Sequence, residues 1–484
     1  MEPAADSRKT KIVCTLGPAS SSPEMIRRMI QAGMNVARLN FSHGSYESHK
    51  KTLLAIRAAA DELSCQVGIL QDLAGPKIRL GEIEGPELHL KSGDPLKLVT
   101  GKKAEGGAVP VNYPYLYEDV REGDRILLAD GKVELYVTGK SDGLVSCRVV
   151  VGGTLSSHKG VNLPTSDLRI AAFTDKDRAD LEFGLKEGVD FVAMSFVRHE
   201  KDLDPLKEMM KGYRRPPLLI AKIEKPQAVD RLDQILKAVD GVMVARGDLG
   251  VEMPVEEVPI IQKLIIRKAR QAARVVITAT QMLGSMVSSP RPSRAEVTDV
   301  ANAVLDGTDA VMLSDETAVG DYPVAAVRVL DMVSRYTEPQ MNEQRFLDEG
   351  LSPLLPATEA AITRAAASLA EDLKPAALVA TTASGSTARY MARYRLPLPV
   401  IGLTSEPRTC RQLCLSWGVI PAQIPVCENV DAMITLVRKW AAENNVARPE
   451  DRLILTAGIP LQVHGTTNLI KVIDMTGPEE KGNY

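Results

Sequence analysis

At 484 residues the chain is too long for one hydrophobic core, and its 44% hydrophobic share supplies material for two or three. A formal net charge of -3 excludes a general pull toward nucleic acid or an anionic membrane, so any basic site has to be local. The opening MEPAADSRKTK has no apolar leader segment, no run of about 18 uncharged apolar residues follows, and the six scattered cysteines form no metal or redox spacing. The expected setting is a reducing cytoplasm, with Cys410 and Cys414 as packing residues.

From Lys11 onward short apolar runs alternate with helical patterns. KIVCTL, NVARLN and QVGILQD read as strands, with helices over 23–32 and 46–63 between them, a βαβαβ series that predicts a parallel sheet. From 77 to 167 the pattern turns Gly- and Pro-rich, with alternating strands such as PLKLV, DRILLAD, VELYV and LVSCRVV, an all-β insertion. The βα rhythm resumes behind Thr174, an N-cap with Asp177 at N3 and Gly188 closing the helix. Five strands follow: VDFVAMSF, LLIAKIE, GVMVAR, RVVITAT and AVMLSD. Three before the insertion and five after it predict an α/β fold, a closed (β/α)8 TIM barrel over 1–76 and 168–352. The insertion, 77–167, then sits on the third βα loop as a lid over the strand ends where such barrels build active sites. After Pro353 and Pro356 an alanine-rich helix over 357–373 opens a third series, 353–484, whose strands AALVATT, PVIGLT, VIPAQI, RLILTA and NLIKVID predict a five-stranded α/β domain.

The strand ends collect the polar residues. LLIAKIEKPQ (218–227) runs from apolar residues into Lys222 and Glu224, two apart and so on one side of a strand, where a buried charge needs a partner or a ligand. Taken alone, that stretch also fits a Lys-Glu salt bridge, with Asp248 of GVMVARGDLG (241–250) capping a helix. Strand two ends in Arg38, Asn40, Ser42 and His43, strand three in Asp72 followed by Lys77 and Arg79, and strand six in Arg246 and Asp248. Strand seven gives Thr278 and Thr280, strand eight Ser314 and Glu316. Glu224 and Asp248 suit a hard divalent ion such as Mg2+ (or Mn2+) that keeps positions for substrate oxygens, while Arg38, Arg79 and Lys222 are phosphate donors. The GDLG stretch, with Gly247 and Gly250, either offers backbone N–H groups to an anion or is an ordinary tight turn. No GxxxxGK[ST] loop and no kinase HRD/DFG set accompanies these residues, so this metal-dependent phosphoryl site holds its phosphates another way.

ARLNFSHG (37–44), AKIEKP, ARGDLGVE, TATQML, MLSDETA and KGVNLP (159–164) together resemble the signature segments of pyruvate kinase, a likeness that runs from about Thr10 to GTTN (465–468). The resemblance implies the last step of glycolysis, in which phosphoenolpyruvate and ADP become pyruvate and ATP with Mg2+ (or Mn2+) as cofactor. It implies that Lys222 neutralises the phosphoryl group in flight and the enolate left behind, with Glu224 and Asp248 holding the metal. Gly247, Asp248 and Thr280 would fix the substrate, Arg38 would grip its phosphate, and Asn40, His43, Arg79 and Lys159 would reach the nucleotide. Asp130, in the ADG turn of the insertion, resembles a lid residue. Asn40, Ser42, Asp72 and the Leu73 carbonyl match the family's monovalent-cation site. A cytoplasmic homotetramer is implied as well.

Departures from the family pattern carry their own expectations. Lys77 stands where potassium-requiring members have glutamate, Leu73 replaces a common threonine, and Asp315 replaces glycine after Ser314. Lys77 is expected to fill the cation site and remove the need for K+; the alternative is a Lys77 turned to solvent beside an ordinary potassium site. TTASGST (381–387) reads as a phosphate cradle, in which Thr382, Ser384, Gly385, Ser386 and Thr387 hold an allosteric activator, or as a serine-rich turn. It lacks the lysine and arginine of animal forms that answer to fructose 1,6-bisphosphate, which favours a sugar phosphate or nucleotide with one phosphate. The short N-terminal lead is that of bacterial-type members. Alternative roles are His43 as a helix cap and Thr280 and Ser314 as structural hydroxyls. The competing functions are another barrel lyase or mutase acting on phosphoenolpyruvate or pyruvate, and a catalytically dead regulator that binds sugar phosphate.

Overall fold

The structure, a computed structural model, describes residues 8–103, 107–166, 168–341, 346, 353–461 and 467–476. The first three apolar runs form β1 (Lys11–Thr15), β2 (Val36–Asn40) and β3 (Gly68–Asp72). The inserted segment carries β4 (Leu88–Leu90), β5 (Pro95–Thr100), β6 (Val109–Val111), β7 (Arg125–Leu128), β8 (Val133–Ser141), β9 (Leu144–Val151), β10 (Gly153–Leu155) and β11 (Val161–Asn162). Then come β12 (Phe191–Met194), β13 (Leu218–Ile223), β14 (Gly241–Ala245), β15 (Val275–Ala279) and β16 (Ala310–Leu313). The last series is β17 (Ala377–Thr381), β18 (Val400–Thr404), β19 (Val419–Gln423), β20 (Arg452–Gly458) and β21 (Thr467–Asp474).

Eight strands close into a parallel barrel in the order β1-β16-β15-β14-β13-β12-β3-β2. The side-chain alternation of a strand explains how these runs can be apolar throughout. Val13, Leu70, Ile220, Met243 and Ile277 fill the barrel interior, while Ile12, Ile69, Leu219 and Val276 pack under the surrounding helices. Lys222 follows Ile220 by two residues, so it belongs to the inward set and emerges at the C-terminal rim of the barrel. The helix Asp175–Glu187 begins as its sequence dictates: Thr174 and Asp177 form a capping box, and Gly188 closes it at φ 75°.

The insertion leaves after β3 and returns before that helix. It is built on a six-stranded sheet, β11-β7-β8-β9-β5-β6, with Leu98, Ile126, Leu135 and Val145 in its own core. The third series forms a sheet in the order β19-β18-β17-β20-β21, parallel except for β21, with apolar clusters on both faces. Its alanine-rich helix spans Ala357–Leu373. Lys11 Nζ donates to the Val419 carbonyl at 2.8 Å and Arg411 Nε pairs with Asp190 Oδ1 at 2.8 Å, so this unit docks on the N-terminal side of the barrel strands, opposite the rim that bears Lys222. Of the GTTN stretch, Gly465 and Thr466 lie outside the described residues.

Candidate active site

The barrel rim gathers Lys222, Glu224, Asp72, Arg38 and Asp248 from four strand ends. Lys222 Nζ lies 2.7 Å from Glu224 Oε1 and 3.5 Å from Asp72 Oδ1, and donates to Ser195 Oγ at 2.9 Å. Asp72 accepts a bond of 2.7 Å from Arg38 Nε, and Arg38 reaches back to Thr15 Oγ1 at 2.8 Å. Glu224 takes the backbone N–H of Phe196 on its other oxygen at 2.8 Å. Arg38, Asp72 and Glu224 are all buried, so each charge is tolerable only through its partners.

The charges do not balance. Three carboxylates face two cations, and Asp248 has no ion pair at all among the described residues. Asp248 keeps an exposed surface, yet desolvation of its carboxyl by the crowded rim, and after it the charge of Glu224, pushes it up to about 6, with Lys222 pulling the other way. Burial works against the Lys222 ammonium too, yet Asp72, Glu224 and Asp248 together hold its pKa above the ordinary lysine value. For Asp72 the burial cost is outweighed by Lys222 and Arg38, and its pKa falls. The site therefore has a permanent cation and a surplus of negative charge beside it.

These groups line a cleft of about 400 Å³ between barrel and insertion, together with Asn40, Ser42, Leu73, Lys77, Arg79, Asp130 and Lys159. The Lys222–Glu224 salt bridge of LLIAKIEKPQ exists and faces the cleft, while Asp248 caps no helix: it lies inside the helix Arg246–Glu252, which has no side-chain cap. Lys77 is exposed but close enough to be felt; burial first, then Arg79, Lys222 and Lys176, lower its pKa, against the pull of Asp72. The Leu73 carbonyl already accepts the Ser195 hydroxyl at 2.7 Å.

Other expected residues stand apart from the lining. GDLG is not a tight turn: residues 246–252 are helical from Arg246, and the Gly247 N–H donates to Thr280 Oγ1 at 2.7 Å. Thr280 is held at φ 69°, a left-handed conformation that costs a β-branched residue on the order of 1–3 kcal/mol. Arg246 supports that strain, since it donates to the Thr280 carbonyl at 2.7 Å while its other end pairs with Asp299. His43 is exposed and does not cap the helix after it; Ser45 does. Thr278 bonds Thr308 in the core, and Glu316 holds the backbone N–H groups of Ser314 and Leu283. For Ser314 the structural part is played by the backbone.

Ser195 and Phe196 were not among the residues singled out from the sequence. VDFVAMSF carried the signal for Ser195, a hydroxyl in the polar position just past the fourth barrel strand. Nothing in the residue type announces that Phe196 sits at φ 56° and gives its N–H to Glu224.

In the third series, Thr382, Ser384, Ser386 and Thr387 line a smaller cavity of about 90 Å³. Gly385 at φ 81° turns its N–H inward to Thr382 Oγ1, and a Cβ there would meet the Arg389 guanidinium at 2.8 Å. Arg389 is spent on the Ser384 carbonyl, and Thr387 shares a bond of 2.6 Å with Thr467. No helix among the described residues is long and apolar enough to cross a membrane.

Comparison with known proteins bears on both units. A family model described as pyruvate kinase, barrel domain, matches residues 7–327, and one described as pyruvate kinase, alpha/beta domain, matches 360–473. The chain is 46% identical over 474 residues to pyruvate kinase 2 of Synechocystis, covering 96% of this chain and 79% of that protein. It is 44% identical over 468 residues to the pyruvate kinase of Mycobacterium tuberculosis strain H37Rv, covering 96% and 98%. The crystal structure of a pyruvate kinase from Cryptosporidium parvum superimposes with a TM-score of 0.91 at 36% identity, covering 98% of this chain and 97% of the other. With both units matched and the likeness running almost from end to end, the chain belongs to the pyruvate kinase family.

Proposed function

We propose that this chain transfers the phosphoryl group of phosphoenolpyruvate to ADP at the Lys222 cluster, giving pyruvate and ATP. The observation that carries the reading is the Lys222 ammonium, its side chain 12% exposed, set among three carboxylates at the rim of a cleft that also holds Arg38 and Arg79. Charge shifts in the reaction from the phosphoryl group to the enolate oxygen. A fixed cation beside that path stabilises the transition state without reorganising, which is the most effective form of electrostatic help. Arg38, braced by Asp72 through Nε and by Thr15 through Nη1, keeps Nη2 for the phosphate. Thr280, fixed against Gly247, presents its side of the rim to the substrate carboxylate, and Arg79, Lys159, Asn40 and His43 serve the nucleotide.

A divalent ion fits Glu224 and Asp248. Asp248 keeps an exposed surface and has no ion pair among the described residues, and its carboxyl is pushed up by desolvation and then by the charge of Glu224, an environment a bound cation would relieve. With two carboxylates offered to the ion and Asp72 engaged by Arg38, most positions stay open to substrate oxygens, as Mg2+ (or Mn2+) prefers. When bound, such an ion neutralises charge on the phosphoryl and enolate oxygens. Lys77 takes the place of K+ beside Asn40, Ser42, Asp72 and Leu73, a reading supported by its position with those residues on the lining of the cleft.

The cavity beneath Thr382, Ser384, Gly385, Ser386 and Thr387 receives the phosphate of a sugar or nucleotide monophosphate that activates the enzyme. The chain works as a cytoplasmic homotetramer, which family membership supports. The activity is tested by pyruvate release from phosphoenolpyruvate: it has to require ADP and Mg2+ together. Release without ADP would point instead to the lyase or mutase class, and no release to a regulator.

A further inference from the structure

We infer that Glu252 and Lys225 form a seat that positions the insertion over the nucleotide side of the cleft, with Asn162 as the part that docks into it. Glu252 Oε1 accepts from Lys225 Nζ at 2.6 Å and from Asn162 Nδ2 at 2.8 Å. The two barrel residues are 5% and 6% exposed, so the pair is isolated from water and its geometry is fixed. Asn162 belongs to β11 of the insertion, and its amide is a direct polar bond between the two bodies of the cleft. The insertion also comes near the barrel at Gly131, where an added Cβ would lie 3.9 Å from the Val251 side chain, next to Glu252.

The seat is wired to both sides. Lys225 follows Glu224 directly, and Glu252 lies one helical turn after Asp248 in the helix Arg246–Glu252, so the two candidate metal carboxylates and the seat move as one piece. On the insertion side Asn162 pairs with Leu127 of β7, two residues before Ala129, whose N–H bonds the Gly160 carbonyl at 3.0 Å. The Leu80 N–H bonds the Lys159 carbonyl at 2.8 Å, and Val161 donates to Ile78 at 2.9 Å. Arg79, Asp130 and Lys159 therefore form one unit whose height over the barrel is set by the Asn162 bond. Arg38, Lys222 and Thr280 are all on the barrel and do not depend on it. Glu252 and Lys225 are positioning residues.

This rests on the nucleotide-side reading of Arg79 and Lys159. It predicts a split in kinetics. Loss of a hydrogen bond to a buried carboxylate in Asn162→Ala should raise KM for ADP about tenfold and leave KM for phosphoenolpyruvate within about twofold. Asn162→Asp, which sets a like charge against Glu252, should do the same more strongly. Hydrogen exchange over residues 159–163 should rise in Asn162→Ala and in Glu252→Gln at an unchanged circular dichroism spectrum. Unchanged exchange overturns the seat, and so does an unchanged KM for ADP in both Asn162 variants, or an equal rise in both Michaelis constants, when Lys159→Ala itself raises KM for ADP. A Lys159→Ala variant measured alongside separates the two ideas: if it leaves KM for ADP unchanged while exchange rises in Asn162→Ala, the nucleotide reading fails and the seat stands.

Discussion

Lys222 Nζ and Glu224 Oε1 stand 2.7 Å apart on one strand, yet the same carboxylate spends its other oxygen on the Phe196 N–H. An ion pair built only for stability has no reason to be mounted at the mouth of a cleft with a third, unpaired carboxylate beside it. Asp248 is that third group, and it makes the pair a site.

Asp248 gives a pH prediction for the metal-free protein. Its pKa rises from 3.8 to about 6 on folding, so the unfolded chain ionises first and the fold loses stability as pH rises through that window. Asp248→Asn should lack that loss, so urea unfolding in a chelator should show the variant gaining on the parent as pH rises from 3.8 to about 6, with no further gain above that window. The parent should also bind Mg2+ more weakly below pH 6, because the proton competes for the same oxygen. A stability difference that stays flat over that range contradicts the assignment.

Thr280 separates hydroxyl from shape. Thr280→Ser keeps the bond to Gly247 and relieves the branched side chain at φ 69°, so it should retain turnover within about tenfold. Thr280→Val keeps the branching and loses the bond. It should cost about a hundredfold or more in kcat/KM for phosphoenolpyruvate, and equal activity of the two variants would remove Thr280 from the reaction.

Lys77 decides the potassium question. Two unit charges about 4 Å apart repel by roughly 4 kcal/mol at an effective dielectric near 20, which weakens a second cation by about a thousandfold. Activity in potassium-free and sodium-free tetramethylammonium buffer should equal that with potassium chloride, and Lys77→Glu should gain a potassium requirement. Strong stimulation of the parent by K+ would defeat the proposal.

The Ser384 loop should answer to a monophosphate. Placing a carboxylate in the cradle with Ser384→Asp should abolish activation by a sugar or nucleotide monophosphate and leave turnover at saturating substrate unchanged. A saturation curve that none of these compounds moves rules the site out.

Much of this was legible because strand alternation and strand ends are written directly in residue type. Eight apolar runs with polar ends give the barrel, and the Ala357–Leu373 helix and the Thr174 cap follow from composition and spacing. GDLG misled because glycine argues for a turn until tertiary packing of Leu249 and Glu252 makes it helical. The Asn162 bond to Glu252 joins residues 90 positions apart on two bodies, and no local pattern encodes it. His43 sits before a helix as a cap would, but Ser45, with a shorter side chain and the right spacing, takes the N–H.

The central claim is that Lys222 acts on charge that develops during transfer, and the direct measurement is turnover of Lys222→Met against the parent at saturating phosphoenolpyruvate, ADP and Mg2+. The same variant is assayed for exchange of the methyl protons of pyruvate in heavy water. Loss of the preorganised cation should cut phosphoryl transfer by about a hundred- to a thousandfold or more, slow the exchange, and leave the circular dichroism spectrum unchanged. A well-folded Lys222→Met protein with near-parental turnover would contradict it.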